Sequence, residues 1–145
     1  MPKPKLSSLL KPTVETPFHI DFDWWKDHDR AWRVHLRSCL CPEHKEMFKD
    51  VAGGEQVDWV DPETAEVQKV DGLQHTLISH CAKQENFITK QTTLTEALFR
   101  VFLANGNQPM TPEELAEKLD RAPQKILQTI SGRRVYKGIR PSRKR

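Results

Sequence analysis

The run Thr111-Pro112-Glu113-Glu114 constrains the fold of this chain more than any other feature. Threonine suits a helix N-cap, proline suits the first helical position, and glutamate at the third completes a capping box that satisfies free backbone amides. Leu115 and Leu119 follow on one face, so this helix needs a packing partner. Upstream, Thr93 can cap a helix to about Leu103 with Leu94, Leu98, Val101 and Phe102 on one side. Asn105-Gly106-Asn107 stops that helix with residues that tolerate positive φ. Downstream, the turn Asp120-Arg121-Ala122 leads into a helix from Pro123 to about Ile130, with Ile126, Leu127 and Ile130 apolar and Gly132 ending it. Residues 135–139 read as one strand.

Charge sets this end of the chain apart. The last 25 residues hold nine of the 23 Lys/Arg (Arg121, Lys125, Arg133, Arg134, Lys137, Arg140, Arg143, Lys144 and Arg145) and none of the 20 Asp/Glu. A net charge of +3 therefore conceals +9 here and −6 over residues 1–120. A cationic surface beside a patterned helix is the electrostatic footprint of a nucleic-acid binder.

The segments Met110-Thr-Pro-Glu-Glu-Leu-Ala-Glu-Lys-Leu119, Asp120-Arg-Ala122 and Pro123-Gln-Lys-Ile-Leu-Gln-Thr-Ile130 carry a likeness to a known family. Residues 93–141 resemble the helix-turn-helix half of the winged-helix superfamily. The resemblance covers about a third of the chain and implies that the second paired helix, from Pro123, enters the major groove. Its non-core positions are Gln124, Lys125, Gln128 and Thr129; glutamine matches an adenine edge, and lysine a guanine or a phosphate. Arg133, Arg134 and Lys137 fall where a wing would touch the backbone or minor groove, and Arg140, Arg143, Lys144 and Arg145 extend the basic surface. Two departures stand out. Ala122 occupies the N-cap place, and the 13 residues after Gly132 are too few for a two-strand wing and a tail, so a second strand would have to come from elsewhere.

The front of the chain reads differently. Residues 1–17, with Pro2, Pro4, Pro12 and Pro17, read as an arm, residues 18–90 as a helical module with a hairpin, and residues 91–145 as the helix-turn-helix module with its basic tail. Trp25, Trp32, Leu36 and Leu40 predict one helix over residues 23–40, ended by Cys39-Leu40-Cys41-Pro42. A short helix follows over residues 42–49, with Cys41 at its N-cap. Gly53-Gly54 is a loop, the hairpin turns at Asp61-Pro62, and Asp71 caps a helix striped by Leu73, Leu77, Ile78 and Cys81.

Cys39, Cys41, His44 and Cys81 would form a closed Cys3His set, suited to one structural zinc, with His80 as an alternative to Cys81. The competing reading makes Cys81 a small buried apolar residue. A metal would suit a proline-rich module with little core of its own.

The fold class expected is mainly α with a short β-hairpin and a C-terminal, short winged-helix-like module. No catalytic motif is found: there is no G-x-G-x-x-G, G-K-[ST] or H-E-x-x-H. No apolar run is long enough for a membrane span, the first ten residues lack the apolar stretch of a signal peptide, and three cysteines leave one over after any pairing. The expectation is a non-enzymatic cytoplasmic protein that binds double-stranded DNA and regulates transcription. A protein partner or a homodimer would use the acidic aromatic stretch around Phe18–Trp25. The alternative is an adaptor subunit of a transcription, ribosomal or nucleic-acid-processing complex, with the winged helix docking protein.

Overall fold

In the computed structural model, which describes residues 11–48, 56–60, 62–132 and 134–142, the elements follow in this order: β1 (Phe18–Ile20), α1 (Phe22–His28), α2 (Trp32–Ser38), α3 (Pro42–Phe48), β2 (Gln56–Val60), β3 (Val67–Asp71), α4 (Gly72–Ser79), a 3-10 turn (Cys81–Lys83), α5 (Leu94–Ala104), α6 (Pro112–Leu119), α7 (Pro123–Ile130) and β4 (Ile139–Pro141). The mainly helical class with a short hairpin is as expected. Arm residues 1–10, the Gly53-Gly54 loop, Asp61, Arg133 and the terminal Arg143, Lys144 and Arg145 lie outside the described residues.

The helix starts form where side chains can satisfy free amides. Thr111 Oγ1 accepts the amide of Glu114 at 3.1 Å, and Glu114 Oε1 accepts the amide of Thr111 at 2.9 Å. Thr93 caps α5 through the amide of Glu96, and Asp71 caps α4 through the amide of Gln74. The hairpin pairs antiparallel with Val60 opposite Val67 and Gln56 opposite Asp71.

Two expected elements come out differently. The single helix over residues 23–40 is α1 and α2, broken at Asp29. Asp29 accepts the amide of Ala31 at 2.9 Å and the indole N–H of Trp25 at 3.0 Å. A carboxylate that satisfies a nearby amide offers the backbone a turn in place of another helical bond. The strand over residues 135–139 is mostly a turn, because Lys137 and Gly138 both take positive φ, 49° and 79°. Only from Ile139 does the chain run extended. Gly138 also lies close to α1, where a Cβ would meet Trp25 Cβ at 2.8 Å.

β1 is the hinge of the arrangement. On one edge it pairs antiparallel with β4, Ile20 opposite Ile139. On the other, Phe18 and Met110 exchange hydrogen bonds of 2.8 and 2.9 Å. One apolar cluster joins Phe18 and Ile20 of β1, Trp25 of α1, Leu36 of α2, Leu77 of α4, Phe99 and Phe102 of α5, Leu115 of α6, Ile126 and Ile130 of α7 and Ile139 of β4. Each fully buried side chain of this size is worth about 1.5–3 kcal/mol. α5 buries six of its residues and forms the spine of that core.

Candidate metal centre and basic helix

Cys41 and His44 stand one turn apart at the start of α3, where the Cys41 carbonyl accepts the amide of Lys45 at 2.8 Å. His80 and Cys81 end α4 and open the 3-10 turn. The fold brings Cys41, His44 and Cys81 together and sets His80 beside Cys41 and His44. Cys41 Sγ lies 3.1 Å from His44 Nδ1 and 3.4 Å from Cys81 Sγ. Cys81 Sγ lies 3.6 Å from the same His44 nitrogen, and the His44 and His80 rings meet edge to face at 4.4 Å between centroids. Cys81 is buried, and that burial pushes its thiol up to about 11.

Cys39 of the expected Cys3His set is grouped instead with His35 and Glu96. Its thiol faces Glu96 Oε2 at 3.4 Å. Glu96 also accepts from Arg100 Nε at 2.9 Å and lies 3.5 Å from His35 Nε2. Burial first, and the Glu96 carboxylate second, push the Cys39 thiol up to about 12. Cys39 also caps the C-terminus of α2, where the helix dipole disfavours an anion, whereas Cys41 opens α3, where it favours one.

Two residue groups therefore have ligand atoms within 4.8 Å of one another: Cys41, His44 and His80, and His35, Cys39 and Glu96. The second already holds a cation: the Arg100 guanidinium sits on the carboxylate and is held there by the Phe87 carbonyl at 2.8 Å.

The basic surface divides as well. Gln124, Lys125 and Gln128 are exposed on α7, opposite the buried Ile126 and Ile130. Thr129 is half-buried, and its hydroxyl donates to the Lys125 carbonyl at 2.8 Å. Arg134 is exposed. Lys137 is half-buried, with its ammonium 5.7 Å from the centre of the Tyr136 ring. Arg140 is occupied within the protein: it donates to Asp21 Oδ2 at 3.0 Å and lies over Trp24, whose ring stacks on His28 at 4.0 Å. Sequence reasoning missed this stack, because no spacing rule links residues 24 and 140. A groove of about 450 Å³ runs between α1 and the α7–β4 connection, lined in part by Trp24, Thr129, Arg134 and Lys137. Of the acidic aromatic stretch expected to meet a partner, Phe18, Ile20 and Trp25 are core residues.

No helix among the described residues is long and apolar enough to cross a membrane. No family model, no curated protein and no solved structure matches this chain.

Proposed function

We propose that this chain is a cytoplasmic, non-enzymatic DNA-binding protein that regulates transcription by presenting α7 to the major groove, with one structural zinc in its front half. The observation that carries the reading is the outer face of α7. Gln124, Lys125 and Gln128 are exposed there on a helix without an acidic residue. No side chain caps its N-terminus, since Ala122 has no acceptor. An uncapped helix start with a lysine in its first turn attracts phosphate, and the two glutamines supply bidentate partners for base edges.

The winged-helix form of this reading is supported by topology. α6 packs on α7 across a turn in which Asp120 is left-handed, at φ 54° and ψ 51°. β1 fits the place of a partner strand for β4. It lies between Met110, just before α6, and β4, just after α7. Arg134 then sits beside α7 at the mouth of the groove, where a wing contacts backbone phosphates. Arg140 is left out of this contact set because Asp21 neutralises it.

A second reading, a protein-docking adaptor, is favoured by a different observation. Val60 and Val67 face each other across the hairpin and are both more than half exposed. Val34 and Met47 are also exposed, all in the front half. Selection of random duplex DNA with the full chain separates the two readings. Enrichment of one sequence, read through Gln124, Lys125 and Gln128, supports the regulator. Equal, salt-sensitive retention of all duplexes supports the adaptor, and no retention at low salt rejects nucleic-acid binding altogether.

A further inference from the structure

We infer that Cys41, His44, His80 and Cys81 form a Cys2His2 zinc site that fastens α3 to the core. This deepens the zinc part of the function proposed above and rests on it; the DNA-binding part is independent of it.

The donor geometry is the first support. In a tetrahedral site with Zn–S about 2.3 Å and Zn–N about 2.0–2.1 Å, neighbouring donor atoms lie about 3.4–3.8 Å apart. Of the three sulfur and nitrogen separations here, 3.4 and 3.6 Å fall in that range, and Cys41 to His44, at 3.1 Å, is somewhat shorter. Ordinary packing does not need two thiols and an imidazole nitrogen to converge on one point, because a thiol is a weak donor and a weaker acceptor. His80 adds a fourth group of the right type, and Gln84 reaches its Nε2 at 3.5 Å.

The second support is energetic. α3 is seven residues long and has no buried residue. Half-buried Phe48 and Cys41 are its contacts with the apolar cluster. A helix of this length is far from stable alone, since isolated helices under about 12–15 residues are marginal in water. A metal bonded to Cys41 and His44 would hold its first turn. The same metal would hold His80 and Cys81, and the 3-10 turn they open packs on α5, the spine of the core. With four protein ligands the site is closed, which suits a structural metal and leaves no position for substrate. The opening residues of α3 then stay in place although that helix buries almost nothing.

The test uses the full-length protein purified without chelator, with zinc measured by elemental analysis and the metal-free protein titrated with Zn2+ and Co2+. About one equivalent of zinc per chain is expected. Cys39→Ser should retain it. His80→Ala, a change at an exposed side chain, should weaken Zn2+ binding at least about tenfold, since even removing a partner that only orients a ligand costs 10–100-fold. Cys41→Ser should lose the metal; if that variant or Cys39→Ser does not fold, the Co2+ spectrum of the wild-type protein decides by its sulfur charge-transfer intensity, two thiolates being expected. Zinc bound by the wild-type protein but lost in Cys39→Ser, or a three-thiolate Co2+ spectrum, overturns this ligand set and leaves zinc standing. Full-affinity binding by His80→Ala also overturns the set. Metal-free protein that ignores added Zn2+ overturns the zinc reading itself.

Discussion

Asn107 holds Ile20 as a neighbouring strand would. Its side-chain carbonyl accepts the Ile20 amide and its side-chain amide donates to the Ile20 carbonyl, both at 2.8 Å, across 87 positions of sequence. Together with the Phe18–Met110 bridge, this closes the edge of β1 that faces away from β4. One asparagine, left-handed at φ 62°, therefore does two things: it ends the loop after α5 and seats the strand that joins the front of the chain to its rear.

That pairing yields the first prediction. Asn107→Gly keeps the positive φ free of strain but removes both hydrogen bonds, leaving the buried Ile20 backbone without these partners. Each buried group left unsatisfied costs about 1–3 kcal/mol, so a loss near 2–4 kcal/mol in chemical denaturation is expected. Asn107→Ala should cost more, since it adds left-handed strain. A loss below about 0.5 kcal/mol in the glycine variant would mean that water replaces the side chain.

The two faces of α7 should separate stability from binding. Ile126→Ala empties a fully buried site and should cost about 2–5 kcal/mol. Gln128→Ala removes an exposed side chain and should change the thermal midpoint very little. On a selected duplex, Gln128→Ala should weaken binding by about 1–3 kcal/mol, with a much smaller effect on unrelated DNA. Equal loss on every duplex would move base readout away from α7.

His35 makes the third prediction. Burial lowers its pKa from the ordinary value of 6.5. Glu96 and Asp29 favour its proton, whereas Lys137 and Arg100 oppose it, and the ring sits edge-on to Trp25 and Phe99. Below pH 6.5 the unfolded chain takes up a proton sooner than the folded one, so stability falls as pH drops through that value toward the lower folded one. Thermal midpoints measured from pH 7.5 to 5.0 should fall with acid, and His35→Leu should flatten the slope. The two proteins differ only at position 35, so the difference between the two curves reads His35. Parallel curves would contradict the buried neutral imidazole.

Local chemistry was enough for the helix starts and stops of the rear half. Thr111 and Glu114 specify their capping box at a spacing of three, Asp71 and Thr93 start their helices in the same way, and Asn105-Gly106-Asn107 stops α5 wherever the rest of the chain goes. The amphipathic spacing of Ile126 and Ile130 fixed which face of α7 is inside. The same rules failed at Asp29, because whether a carboxylate caps a turn or faces water depends on the Trp25 indole beside it. They failed again after α7, where Gly138 must turn sharply to pass α1. Tertiary structure alone decided that β1 pairs with β4, that Arg140 is neutralised by Asp21, and that Cys81 joins Cys41 while Cys39 turns to Glu96. Composition identified the thiols, but a ligand set is a set of distances. Those distances are fixed only when α3 and the 3-10 turn, 40 residues apart at Cys41 and Cys81, meet at the edge of a shared core.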